Sequence, residues 1–401
     1  MTDKKVLILT ECFYPEEFKI NDIAISWIEK GFDIDVITLM PTYPLGRVFK
    51  GYQNKLFSKD YYKGISIYRV FAVTGYQNNA FNKFLKYLNF MILGSIVAIF
   101  LGRKYDYVFG YNLGALTDMV PAILIRKLYR KPVLFWVQDL WPDSVYAYGY
   151  KQNKILSFLL ELFVKIIYRN ATSVLISSKG FESKLKPYVK KDIIFNYLPN
   201  WADDLNMDLM GAKFSIDARV HFTFAGNIGK MQNLDKIINA YSSLSDEYTK
   251  RSQLNIIGEG SNLKHLKTLS ENNKHIIFHG GKPRTEMAKY YKSSDFLIIS
   301  LKDVPVFYAT VPAKTQTYIA AKKPILAIIN GETADIIKEN NLGLHANPSD
   351  IESIKNVFEE SIDMSKDKKE ELVKNCDILH STTFNKKLII ENMTNILINS
   401  A

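Results

Sequence analysis

The chain has 401 residues, 47% of them hydrophobic, which is enough apolar material for two separate cores. Its formal net charge of +11 suits nucleic acid, an anionic membrane surface or a polyanionic substrate and does not choose among them. Only two cysteines occur, Cys12 and Cys376, far apart in the sequence, so neither a disulfide framework nor a clustered thiolate metal site is indicated, and a reducing cytosol fits.

The start, MTDKKVLILTECF, lacks a signal peptide's long apolar core and small-residue cleavage site, and reads as a first buried strand. From there Val6–Thr10, Asp33–Met40, Ile65–Val70, Tyr105–Tyr111, Pro132–Asp139, Ser173–Ser178 and Ile193–Leu198 are expected as strands. Helical stretches such as Asp22–Lys30 and Lys154–Arg169 separate most of them. The apolar run Phe90–Leu101 is too short to span a bilayer, so Phe84–Leu101 is not expected as a transmembrane helix; it either packs into the core or touches the membrane surface. Asn196–Asp204, NYLPNWADD, interrupts the alternation and marks the interdomain linker. The pattern restarts with Val220–Ala225, Leu254–Gly258, Ile276–His279, Phe296–Leu301, Pro324–Ile329 and Leu342–Ala346. Helices are expected at Leu234–Leu244, Leu263–Asn272, Arg284–Ser293, Thr315–Ala321, Ile351–Phe358 and about Phe384–Ile398. Such alternation implies two largely parallel sheets covered by helices, with ligands bound at the C-terminal strand ends.

The chemistry is concentrated at those ends. After Val220–Ala225 the chain breaks at Gly226-Asn227-Ile228-Gly229-Lys230 and enters a helix, a turn that aims backbone N–H groups and a lysine at one point, as a diphosphate requires. Gly258-Glu259-Gly260, Gly280-Gly281-Lys282, Lys302-Asp303 and Asn330-Gly331-Glu332 follow at later strand ends. Turn-making alone accounts for any one of them; together they describe a crevice of backbone donors and lysines. No G-x-G-x-x-G follows Val6–Thr10 and no G-x-x-x-x-G-K-[ST] occurs, which argues against a nicotinamide enzyme and a P-loop ATPase.

FAGNIGKMQNLDKIINA, GEGSNLKHLK, HIIFHGGKPRTEMAKYYKSSDFLIISL and VPAKTQTYIAAKKPILA, in that order, resemble the nucleotide-sugar domain of retaining glycosyltransferases of group 1, or family 4, which have the two-Rossmann GT-B fold. YPEEFKIND, WVQDLWPDS and LPNWAD in the first half look like a subgroup that makes bacterial surface polysaccharides, most similar to transferases of N-acetyl-L-fucosamine in capsule or O-antigen assembly. The resemblance implies an α/β GT-B chain with two Rossmann-like domains facing a cleft. Residues 1–198 would be the acceptor domain and 199–383 the donor domain, with a C-terminal helix, 384–401, able to cross back to the first.

It also implies roles. Lys230 matches a position that contacts the diphosphate, with Gly226, Asn227, Gly229 and Gly258 around the donor; Asn227 replaces an Arg often found in this loop. Lys314, just before the helix Thr315–Ala321, stands near the family's phosphate or ribose contact, with a solvated lysine as the plain alternative. The family's E-x7-E pair is absent: Thr317 occupies the second Glu's place and Tyr308 lies near the first. Because a hydroxyl cannot hold two ribose hydroxyls as a carboxylate does, Gln316 is expected to take over. The His that many members carry after the strand equivalent to Pro132–Val137 is also missing. Asp139 is therefore expected to orient or deprotonate the acceptor hydroxyl, and Asp143 to cap the next helix or share that work. In the Tyr14–Asp22 loop, Asn21 or Asp22 caps a helix, while Glu17, Lys19 and Asn21 are candidate acceptor or interdomain contacts.

Neither cofactor nor metal is expected. Asp33-Ile34-Asp35 opens a strand rather than following one, and His275 and His279 at the two ends of a strand read as structural. The basic residues Lys83, Lys86, Arg103 and Lys104, and Lys165 and Arg169, flank two apolar helices. That arrangement suits docking on the anionic inner face of the cell membrane, where an undecaprenyl-diphosphate-linked saccharide would be the acceptor of a UDP-sugar. A UDP-sugar 2-epimerase of the same fold and a non-catalytic basic membrane- or nucleic-acid-binding protein are the competing readings; no nucleic-acid-binding module or basic-aromatic stripe is found.

Overall fold

The computed structural model describes residues 4–77, 79–147, 153–202, 205, 207–214 and 220–400. It divides into two compact units, Met1–Pro199 with Ile389–Ala401, and Asn200–Leu388.

The first unit is built on eight strands: β1 Lys5–Leu9, β2 Asp33–Leu39, β3 Phe57–Tyr62, β4 Ile65–Val70, β5 Tyr107–Asn112, β6 Val133–Val137, β7 Ser173–Ile176 and β8 Phe195–Tyr197. Their order is β3-β4-β2-β1-β5-β6-β7-β8. All pairings are parallel except β3 with β4. β5, β6 and β7 are buried along their whole length and β1 and β2 everywhere but their first residue, as strands covered by helices on both faces must be. β3, FSKDYY, was not among the expected strands. It is an edge strand, exposed at alternate positions, and its polar sequence carries no buried-strand signal. What makes it is the two-residue turn Lys63-Gly64, both residues at positive φ, which pairs Tyr62 with Ile65 in a hairpin.

The second unit has six strands: β9 Val220–Ala225, β10 Ser252–Ile257, β11 Ile276–Gly280, β12 Phe296–Ser300, β13 Ile325–Ile328 and β14 Gly343–His345. They run in the order β11-β10-β9-β12-β13-β14, all parallel. β9 sits between β10 and β12 at the point where the chain reverses its direction of winding, which is where doubly wound sheets open a crevice at their C-terminal ends.

The last helix, Lys386–Asn399, returns to the first unit, where the Trp27 indole N–H donates to Thr394 Oγ1 at 3.0 Å. In the linker stretch, Asn196 and Tyr197 belong to β8 and Trp201 and Ala202 are buried; Asp203 and Asp204 lie outside the described residues.

The apolar segment after β4 corrects its reading. It is one helix of 22 residues, Ala80–Leu101, and with its flank it is long and apolar enough to cross a membrane by length and composition (mean hydropathy 2.0 over 18 residues). Nor is it a core helix, for only 28% of that stretch is buried. One face is fixed to the unit: Phe90 is buried, Asn89 bonds the carbonyl of Phe71, and a Cβ at Gly102 would come within 2.7 Å of Ile125. The other face presents Phe81, Phe84, Ile92, Ile96 and Phe100 outward. Since β4 before it and β5 after it lie in one sheet, the helix cannot place its ends on opposite sides of a bilayer without tearing that sheet.

Candidate active site

In the second unit the end of β9 is clamped before the glycine loop begins. Tyr318, buried on the helix Ala313–Ala320, receives the N–H of Ala225 on its hydroxyl at 3.2 Å and donates to the Ala225 carbonyl at 3.3 Å. Gly226 then turns at φ +138°. The Gly226–Lys230 loop is laced to the loop after β10: Gly226 N–H donates to Ile257 O (2.9 Å), Ile228 N–H to Glu259 O (2.7 Å) and Asn262 N–H to Ile228 O (3.0 Å). Gly258, at φ +143°, is where the two loops cross, and a Cβ there would fall 1.8 Å from the Gly226 carbonyl oxygen. Gly258 thus shapes the loop by steric necessity. Gly258→Ala is expected to lower the stability of the second unit by at least about 2 kcal/mol, because backbone strain and a backbone clash add. Chemical denaturation followed by tyrosine emission checks this; an unchanged midpoint would contradict the crossing.

Lys314 lies beside this loop. It lies inside the helix Ala313–Ala320, in its first turn rather than ahead of it. Its Nζ donates to Gln232 Oε1 at 2.9 Å, sits 3.9 Å from the centre of the Phe224 ring and faces Gly226, whose missing Cβ would lie 3.4 Å away. Burial lowers its pKa to about 7, and no carboxylate is among the causes acting on it. An enclosed ammonium beside a glycine loop is the arrangement an anionic ligand completes.

The remaining donor candidates divide. Asn227 and Lys230 are exposed, and Lys230 opens a single 3-10 turn, Lys230–Gln232, before Asn233, at φ +56°, starts the helix Leu234–Ser242. Gly229 is fitted to its neighbour, since a Cβ would meet the Asn227 amide at 2.9 Å. Gln316 is buried with its amide 3.1 Å from the carbonyls of Pro312 and Ala313, and hydrogen-bond chemistry assigns the nitrogen to that side; so oriented, the side chain is held by the helix start rather than offered to a ribose. Thr317 Oγ1 bonds back to Ala313 O at 3.1 Å. Asp303, one of the polar residues expected at a strand end, ties three loops together: it accepts from Tyr308 Oη (2.7 Å), Asn330 Nδ2 (2.9 Å) and Ser349 Oγ (3.0 Å), bonds that hold its carboxyl below the usual range.

In the first unit Asp139 follows β6. Its Oδ1 accepts from the N–H of Leu140 at 3.0 Å, and burial pushes its pKa up to about 6, with the Leu140 N–H and the charge of Lys83 offsetting only part of the shift. It lines a cavity of about 640 Å³. Asp143 is the first residue of the short helix Asp143–Ala147. The helix after β1 begins at Lys19 with Phe18 as its uncapped boundary, so neither Asn21 nor Asp22 is its cap. Asn21 instead donates to the carbonyl of Glu16 at 2.7 Å, and Glu17 is exposed.

Sequence reading passed over the buried carboxylates beside these residues. Glu11 pairs with Lys86 at 2.8 Å, Glu16 Oε1 accepts from the N–H groups of Thr42 (2.8 Å) and Tyr43 (2.6 Å), and Asp118 accepts from Asn112 Nδ2 at 3.0 Å. Burial, then the charge of Glu11, raises the Asp118 pKa well above normal. The available signal was Glu11, an acid two positions past the apolar run Val6–Leu9 of β1. The acids of Asp33-Ile34-Asp35 are spent on Lys5 (3.2 Å) and on Lys104 and Tyr105. His279 Nε2 lies 2.8 Å from Asn255 Oδ1 inside the sheet's shell.

Two largely parallel α/β sheets with these topologies form the GT-B fold, and comparison with solved structures agrees. A sucrose-phosphate synthase from Thermosynechococcus elongatus superposes with a TM-score of 0.71 over 98% of both chains at 14% identity. The Anabaena protein HepE, solved in complex with UDP and glucose, does so with a TM-score of 0.65 over 99% of this chain and 100% of its own at 12% identity. In sequence, residues 212–377, within the second unit, match the family described as "Glycosyl transferases group 1". A Pseudomonas aeruginosa protein named "Probable glycosyltransferase WbjE" is 24% identical over 270 residues, 64% of this chain and 66% of that relative, a little under two thirds of its length.

Proposed function

We propose that the protein is a retaining glycosyltransferase that moves a sugar from a UDP-sugar to a lipid-linked saccharide. The observation that carries this reading is Lys314, a cation enclosed by Phe224, Gln232 and the Gly226 turn, with no acid among the described residues to neutralise it. In the transfer, the bond between the anomeric carbon and the phosphate oxygen breaks with its electron pair leaving on the diphosphate. An acceptor hydroxyl bonds to the same face of that carbon, and its proton passes to Asp139. Lys314 stabilises the leaving charge, with Lys230 at the mouth of the loop and the N–H groups of the Gly226–Lys230 turn assisting. UDP is favoured because the HepE structure holds UDP and glucose and because residues of the second unit match the group 1 family. N-acetyl-L-fucosamine is the sugar we propose, on the resemblance of YPEEFKIND and WVQDLWPDS to its transferases. The exposed apolar faces of the helices Ala80–Leu101 and Lys154–Arg169, flanked by the exposed Arg103 and Arg169, support a place on the inner face of the cell membrane in capsule or O-antigen assembly; Lys86, buried against Glu11, and Lys104, paired with Asp35, take no part in it.

Thermal-shift titration with UDP, GDP and dTDP tests the donor. UDP is expected to stabilise the protein by RT ln(1 + [L]/Kd), about 2.7 kcal/mol at a hundredfold excess over Kd. Stronger stabilisation by GDP would overturn the UDP-N-acetyl sugar assignment.

A further inference from the structure

The cavity that Asp139 lines is an apolar groove between two helices of the first unit. Phe84, Leu88 and Met91 of Ala80–Leu101 form one wall and Leu156, Leu160 and Phe163 of Lys154–Arg169 the other. At about 640 Å³ it is of the size that encloses most of a small organic ligand. Its few polar groups include Lys83, Asp139 and Thr117, and Thr117 Oγ1 is buried without a hydrogen-bond partner. The same helices turn their remaining apolar side chains outward: Phe100 is 82% exposed and Ile155 72%. An apolar slot that opens between two outward apolar faces, holds a lysine, and contains an unpaired hydroxyl and a carboxylate asks for an amphiphile with a long hydrocarbon tail and an anionic, hydroxyl-bearing head.

We propose that this groove binds the first segment of the hydrocarbon chain of the acceptor lipid. Lys83 faces its phosphate, and Thr117 and Asp139 receive the polar head. The proposal rests on the glycosyltransferase reading for the identity of the head but not for the chain. It separates two tasks that the exposed apolar faces alone would merge: those faces rest on the bilayer surface, whereas the groove draws one chain out of it. Docking the chain also explains why a carboxylate is kept in so apolar a place, since the head group it meets arrives with its own hydroxyls.

The test uses the full-length protein and prenyl monophosphates of ten and twenty carbons, with inorganic phosphate as the chainless control, read by the emission of Trp141, which lines the groove. Each methylene removed from water tightens binding by about fourfold, so the twenty-carbon chain is expected to bind at least about tenfold more tightly than the ten-carbon one, and phosphate not at all. The doubly filled variant Leu88→Phe/Leu160→Phe is expected to lose at least about tenfold in affinity for the longer chain while its melting temperature stays near that of the parent; should it fail to fold, Met91→Phe alone serves. Equal affinity for both chains would overturn the proposal. So would chain-length dependence that survives filling, because the chain would then lie on the outer helix faces. UDP binding is measured in parallel. Chain binding in the groove without stabilisation by UDP would leave the groove standing and defeat the glycosyltransferase reading, whereas UDP binding without chain binding would defeat the groove alone.

Discussion

Lys314→Ala is expected to lower kcat/KM for sugar transfer by about 10²–10³, the loss typical of a single preorganised group that meets charge developing in the transition state. The size follows from its setting. The ammonium is enclosed against Phe224 and Gly226, its hydrogen-bond acceptor among the described residues, Gln232, is neutral, and burial holds its pKa down to about 7. A diphosphate at the Gly226 turn would draw that pKa back up, so UDP binding at pH 8 should take up a proton. Calorimetry in buffers of different ionisation enthalpy reads this uptake directly; its absence in the parent protein, or its persistence in Lys314→Ala, would remove Lys314 from the donor site. The same depression has a consequence for stability. The unfolded lysine titrates near 10.4, so between about pH 7 and 10 the unfolded chain binds more protons than the native one. The cost of burying Lys314 is therefore complete below pH 7 and is relieved as pH rises toward 10. Replacement by Met should stabilise the second unit most at or below neutral pH, with a loss of transfer like that of Lys314→Ala.

Asp139→Asn is expected to lower kcat by about 10²–10⁴, the range for loss of a general base, with UDP binding unchanged. In the parent enzyme the rate should fall on the acid side with an apparent pKa near 6, the value to which burial lifts this carboxyl, and that limb should vanish in the variant. Native Asp139 binds a proton more tightly than the unfolded side chain, whose pKa is about 3.9. Stability therefore drops as pH rises from about 4 to 6, and the penalty is fully present above that window. A neutral Asn is expected to recover up to about 2–3 kcal/mol at pH 7. A variant that is stabilised and inactive identifies a group retained for chemistry; one that is destabilised and inactive would make Asp139 a structural residue.

Both residues were legible in the sequence as strand-end or helix-start positions, but their strength was not. Asp139 reads as an acid after an apolar strand, and nothing local reveals that two helices distant in sequence wall it into an apolar groove. Lys314 reads as a lysine near a helix, and its enclosure depends on Phe224 and Gln232, some ninety and eighty residues earlier. Gln316 was misplaced for a related reason: one step along a helix rotates a side chain by about 100°, enough to turn it from the ligand side into the core. The buried acids Glu11, Glu16 and Asp118 escaped because carboxylates are ordinarily surface residues, and only their partners make them tolerable inside.

The apolar runs of β1, β5, β6, β12 and β13, separated by helical stretches, determined by themselves that the chain makes two doubly wound sheets, since buried parallel strands favour near-continuous apolar sequence and need a crossover between each pair. Gly226 likewise announced a strand-end loop, because only glycine readily accepts its φ of +138°. Tertiary structure alone decided which polar side chains are enclosed, that β3 exists as a polar edge, and that the helix Ala80–Leu101 lies along the first unit with one face outward. Periodicity and propensity are properties of neighbouring residues, whereas desolvation and the partners that offset it belong to residues brought together from distant parts of the chain.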